Sequence, residues 1–156
     1  ASKNNIAQIK KRLNAQVISY DKMNQLRHVR FFGDANGVLE HMKKHAGILR
    51  PKFEAVLSQF DVQLKNTGIA RWTAPKGGYF ISLNVMHGCA KRVVELCKNA
   101  GMVLTPAGAT HPYGIDPEDT NIRIAPSFPT VNEISQAAKL LCVAVKYAAL
   151  EKILGN

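Results

Sequence analysis

Acidic residues are scarce in this chain. Only 11 Asp and Glu stand against 21 Lys and Arg, for a formal net charge of +10 over 156 residues. Cysteine is scarcer still, at three, and Cys89, Cys97 and Cys142 form no C-x-x-C pair. An odd, unpaired set argues against both a zinc knot and a disulfide frame and fits a reducing, cytoplasmic setting. No apolar run approaches the ~20 residues of a membrane helix, so no membrane partner is expected. The start carries no secretory pattern. G-x-G-x-x-G, the P-loop and the G-x-S-x-G elbow are all missing, which removes the usual signatures of dinucleotide, nucleotide-phosphate and serine-hydrolase sites. His41 and His45 have the spacing of H-x-x-x-H but lack the glutamate base of a zinc protease and a third ligand, so no metal site is expected. Cys89 and Cys97 read as small buried hydrophobes rather than nucleophiles. With no acid/base pair and no activated nucleophile, no catalytic residue is expected in this chain.

What is present suits a folded domain. The apolar fraction is 46%, and a chain of this length buries roughly two thirds of its unfolded surface. The basic excess is front-loaded, running from Lys3 to Lys52 against Asp21, Asp34, Glu40 and Glu54. Such an excess favours polyanions, but solvated helix faces explain it more simply. A free-standing nucleic-acid domain would also need an aromatic platform or a known module, so nucleic acid is not an expected partner. The chain opens Ala-Ser-Lys without an initiator Met, which fits processing, a deliberate cut or a piece of a longer protein.

Periodicity predicts helices over about 4–14, capped by Asn4 or Asn5, and about 20–32, after a short Val17-Ile18 piece and Ser19 and closed by Gly33. A long helix over about 38–65 follows, opened by Asn36 or Gly37, with Pro51 expected to bend it and Phe53, Val56, Leu57, Phe60 and Leu64 as a core stripe. Strands are expected over 69–74 and 79–85, joined as a hairpin through Pro75-Lys76-Gly77-Gly78. In the second, Phe80, Ser82 and Asn84 share one side and Tyr79, Ile81, Leu83 and Val85 the other. A helix over about 89–99 and a short strand over 102–105 come next. Residues 106–120 are rich in Pro and Gly with an acidic tip, and a loop of that length is usually functional or mobile. A strand at 121–124 leads to a last helix at about 131–154, opened by the capping box Thr130-x-x-Glu133. The expected fold is α/β (α+β-like), a small mixed sheet of about four strands with helices packed on it.

The 121–129 stretch (NIRIAPSFP) carries the chemical interest. Ile122 and Ile124 share a face, so Arg123 points the other way, among small and apolar neighbours. Pro126 and Pro129 stop the strand because neither has an N–H for the ladder. A guanidinium held there suits a carboxylate gripped by two parallel hydrogen bonds. An internal ion pair with a nearby Asp or Glu is the structural alternative. Gly77 and Gly78 would let a backbone or ligand come close.

Pro-x-Gly-Gly-Tyr-Phe at 75–80, Leu-Thr-Pro-Ala-Gly-Ala-Thr at 104–110 and Asn-Ile-Arg-Ile-Ala-Pro at 121–126 together resemble the C-terminal small domain of class I/II pyridoxal-phosphate (PLP) aminotransferases of fold type I. Residues 21–32 (DKMNQLRHVRFF) are similar to the MocR-like aspartate aminotransferase group. The resemblance implies that Arg123 binds the substrate α-carboxylate and that Gly78, Tyr79, Phe80, Thr105 and Gly108 line the cleft. It implies that the 105–114 loop can close over substrate as the small domain swings. Residues 1–35 would be helices linking to a large PLP-binding domain, and 36–156 the small domain. The parent would transfer an amino group between an amino acid, aspartate foremost, and a 2-oxo acid, as a homodimer. PLP would belong to that parent, held by a Schiff-base lysine outside this chain. Lys3 follows Ser2 but lacks the family's following glycine and reads as a surface lysine. The chain alone would then bind no PLP and be inactive. The alternative from the same resemblance is the ligand-sensing domain of a MocR-type transcription regulator.

Overall fold

The computed structural model of the protein describes residues 2–17 and 20–155. Ile18 and Ser19, and with them part of the extended piece expected between the first two helices, lie outside the described residues. The chain divides into two compact units, Ala1–Lys44 and His45–Asn156.

The first unit is helical. Helix α1 spans Lys3–Gln16, and its cap is Ser2, whose hydroxyl accepts the Asn5 N–H, rather than the expected Asn4 or Asn5. Helix α2 spans Lys22–Phe32, capped by the Asp21 carboxylate on Asn24 N–H at 2.9 Å and closed by Gly33 at φ 72°. Helix α3 spans Ala35–Gln63 and runs through Pro51. Asp34 accepts the Gly37 N–H at its start, a role expected of Asn36 or Gly37.

The second unit holds the core. The later part of α3 buries Phe53, Val56 and Phe60, and Leu64 follows. Strand β1 (Ala70–Trp72) pairs antiparallel with β2 (Ile81–Val85), and β2 pairs antiparallel with β3 (Asn121–Ile124). The expected hairpin is therefore present. Ile81, Leu83, Val85, Ile122 and Ile124 fill one face of this sheet and are buried, each side chain contributing roughly 1.5–3 kcal/mol. Helices α4 (Ala90–Asn99) and α5 (Val131–Leu154) complete the unit. They are clamped by a bidentate pair in which Arg92 Nε and one terminal nitrogen each donate to Glu151 at 2.8 Å. The capping box at Thr130 forms as expected.

One expected strand is absent. Residues 102–105 alternate in burial, with Val103 exposed and Met102 and Leu104 packed on the core. Yet Met102 gives its N–H to Cys97 O and the segment joins no ladder. Among the described residues the sheet thus has three strands, all antiparallel, in the order β1-β2-β3.

Candidate functional site

The second face of the sheet carries the polar side chains. Antiparallel register sets Arg123 opposite Ser82 and Asn121 opposite Asn84. Period-two alternation puts all four on the side away from the buried isoleucines. Asn121 is buried and fully engaged: its amide donates to Ser82 Oγ and Asn84 Oδ1, both at 2.9 Å, and its oxygen accepts the Thr110 hydroxyl at 2.6 Å. These bonds fix the β2–β3 register beside Arg123.

Arg123 itself is half-buried. None of the ion pairs among the described residues includes it, and its Nε is buried with no hydrogen-bond partner. Its Cζ sits 4.6 Å from the centroid of the Phe80 ring. Leaving a buried donor unmatched costs about 1–3 kcal/mol, more for a charged group, so the arrangement suits an anion brought from outside. Beyond the strand, Lys52 Nζ donates to Ser127 O at 2.7 Å and Phe128 O at 3.3 Å, tying down the turn that follows Arg123.

The other residues named from sequence fall at different distances from this centre. Thr105 and Arg123 line one groove of about 200 Å³, whose walls are otherwise apolar and include Leu104, Pro126 and Leu141. Gly108 is buried at φ 82°, donates to Asn121 O at 3.4 Å, and would place a Cβ 2.5 Å from Gly114 O. Its place is therefore fixed by backbone crowding at the foot of the loop. Gly78 and Tyr79 are exposed in the turn before β2. Among the described residues no hydrogen bond or ring contact ties either to Arg123. A second, polar basin of about 450 Å³ lies along the same strands, lined by Arg71, Ser82, Asn84, Thr110, His111 and Asn121 among others.

The 106–120 stretch is built, not structureless. Asp116 is buried and accepts the backbone N–H groups of Glu118, Thr120 and Asn121 at 3.1, 2.8 and 2.9 Å. These bonds, the Asn121 N–H first, pull its pKa down to about 2 against partial desolvation. A 3-10 turn at Pro112–Gly114 forms the far side. Asp119 caps α4 from a distance: its carbonyl accepts from Cys89 and Ala90, and its carboxylate from Lys91 at 3.1 Å. Sequence reasoning missed Asp116, Asp119 and the Asn121 amide. The alternation of β2 did place Ser82 and Asn84 on the polar side, but nothing local marks which acid of a Pro-rich tip turns inward. Cys89, Cys97 and Cys142 are buried, and burial pushes the Cys97 and Cys142 thiols up to about 11.

The family model described as aspartate amino-transferase matches residues 1–156. The chain belongs to the aspartate aminotransferase family. The aspartate aminotransferase of Corynebacterium glutamicum is 51% identical over 134 residues, 86% of this chain and 31% of that protein. The crystal structure of an aspartate transaminase from C. glutamicum superposes with a TM-score of 0.89 at 46% identity, over 97% of this chain and 36% of the other. The α-aminoadipate aminotransferase LysN of Thermus thermophilus, solved with N-(5'-phosphopyridoxyl)-L-leucine, shares the fold alone, with a TM-score of 0.62 at 20% identity over 73% of this chain and 28% of that one. This aminotransferase-family chain spans about a third of the length of the curated relatives it matches, 36% and 31%.

Proposed function

We propose that this chain is the C-terminal part of a PLP-dependent aminotransferase that moves an amino group between an amino acid, aspartate foremost, and a 2-oxo acid. In this reading Arg123 grips the substrate α-carboxylate, and Gly78, Tyr79, Phe80, Thr105 and Gly108 border the cleft. Residues 1–35 lead from the large domain, residues 36–156 form the small domain, and the parent is a cytoplasmic homodimer.

The observation that carries this reading is the state of Arg123: half-buried, unpaired with any carboxylate among the described residues, and holding a buried Nε with no partner. A guanidinium presents its donors as a planar fork that matches a carboxylate, so an incoming acid gains two parallel bonds and a fixed orientation. The groove beside it is lined mainly by apolar side chains, and a charge pair is stronger in a low-dielectric setting than in water. The donors gathered here fit an acid group. The ring and phosphate of PLP are assigned to the rest of the parent, where PLP when bound supplies the electron sink for the reaction.

In the full-length enzyme, Arg123→Ala is expected to lower kcat/KM by the scale of a charged hydrogen bond, about 1.5–3 kcal/mol or roughly ten- to a hundredfold. Steady-state kinetics with both substrates measures it, and unchanged KM and kcat would remove Arg123 from the site. This chain alone, mixed with PLP, is expected to show no stable bound-cofactor absorbance.

A further inference from the structure

We propose that Phe80 is a positioning residue for Arg123, holding the guanidinium by its ring face in place of the carboxylate that an internal ion pair would use. The proposal rests on the carboxylate-binding reading of Arg123 given above. Its starting point is a conflict of requirements. A flexible arginine must be held in one plane to bind an acid with two bonds, and the common device is a neighbouring Asp or Glu. That device would occupy the same N–H donors the substrate needs. An aromatic face attracts the cation from above and leaves the in-plane donors unengaged.

The geometry meets this description. Ser82 lies opposite Arg123, and Phe80 is two residues before Ser82, which makes it the diagonal cross-strand neighbour on the same face. Diagonal neighbours in antiparallel pairs are within reach of long and aromatic side chains. The Arg123 Cζ stands 4.6 Å from the ring centroid, well inside cation–π range. No carboxylate competes for the fork among the described residues. Phe80 is also 49% exposed, so it is not a core residue. The Asn121 amide, bonded to Ser82 and Asn84, keeps the two strands from slipping and so keeps ring and charge in register.

The test is made in the full-length enzyme, with Arg123→Ala as the reference. Phe80→Leu is expected to raise KM for both the amino acid and the 2-oxo acid about three- to tenfold, the scale of one cation–π contact, with a smaller change in kcat and an unchanged melting temperature. Phe80→Tyr keeps the π face and is expected to stay close to the parent. Phenylalanine carrying one, two and three ring fluorines at position 80 keeps the shape while draining the π face, and KM is expected to climb with each fluorine. A KM that stays flat across the fluorine series, or a Leu variant that matches the parent, overturns the role of Phe80 while leaving Arg123 in place. Should Arg123→Ala itself leave KM unchanged, the carboxylate reading fails first and this proposal falls with it.

Discussion

Two side chains govern the polar side of the second unit by opposite means. Arg123 keeps a buried donor unmatched, whereas Asp116 is saturated by three backbone N–H groups. The contrast separates a group that, in the reading proposed above, takes a ligand from one that builds the loop. It also gives Asp116 a pH signature. Its folded pKa of about 2 lies below the ordinary 3.8. A depressed carboxylate stabilises the fold fully above the unfolded value and loses that effect as pH falls through the folded one. Melting followed by circular dichroism should therefore show a stability loss between about pH 4 and pH 2 that is smaller in Asp116→Asn, where Glu133 and Glu151, also held below the ordinary carboxylate range, still contribute. That variant should already melt lower than the parent at neutral pH, because its amide replaces one charged acceptor with a donor facing N–H groups.

At the scale of elements, much of the second unit was legible in the sequence because its signals are local. The Thr130 capping box and the helix it opens appear at Val131–Leu154. The strand at Asn121–Ile124, and the burial of Ile122 and Ile124 opposite Arg123, follow from alternation and two prolines. The failures are equally physical. Residues 102–105 alternate as a strand should, but alternation reports which faces meet the core, not whether a ladder partner is near, and Met102 bonds back to Cys97 instead. The cap of α1 is Ser2 because capping is decided by the residue whose side chain reaches the third N–H onward, and Asn5 supplies that N–H. Within the candidate site, alternation showed that Arg123 faces away from Ile122 and Ile124, but the Phe80 contact depends on register across two strands and the Thr110–Asn121 bond on loop closure. Asp119 shows the same limit. Cys89 precedes α4 without a side-chain cap bond, and the capping carboxylate comes from Asp119, 28 residues beyond the Lys91 N–H it accepts. Asp119→Ala is expected to cost about 1 kcal/mol, the usual worth of a lost cap. Urea unfolding monitored by circular dichroism measures it, and faster amide exchange at Ala90 and Lys91 would localise it.

At the scale of the whole molecule, the two units differ in how they are held together. The second buries a continuous apolar cluster that draws on α3, the sheet, α4 and α5. In the first, neither α1 nor α2 contains a buried residue, and Ile9, Met23, Val29 and Phe31 are all more than half exposed. A helix of 11 or 14 residues has little stability of its own in water, since helices this short are marginal without tertiary packing. The segments with few buried contacts are the ones that open most readily. Hydrogen–deuterium exchange of this chain should accordingly show α1 and α2 exchanging within seconds while β2, β3 and the buried face of α5 stay protected for orders of magnitude longer. In the full-length parent, protection of α1 and α2 should rise if, as proposed, residues 1–35 lead into a large domain. Equal protection of both units in this chain alone would show that the first unit is stabilised from within.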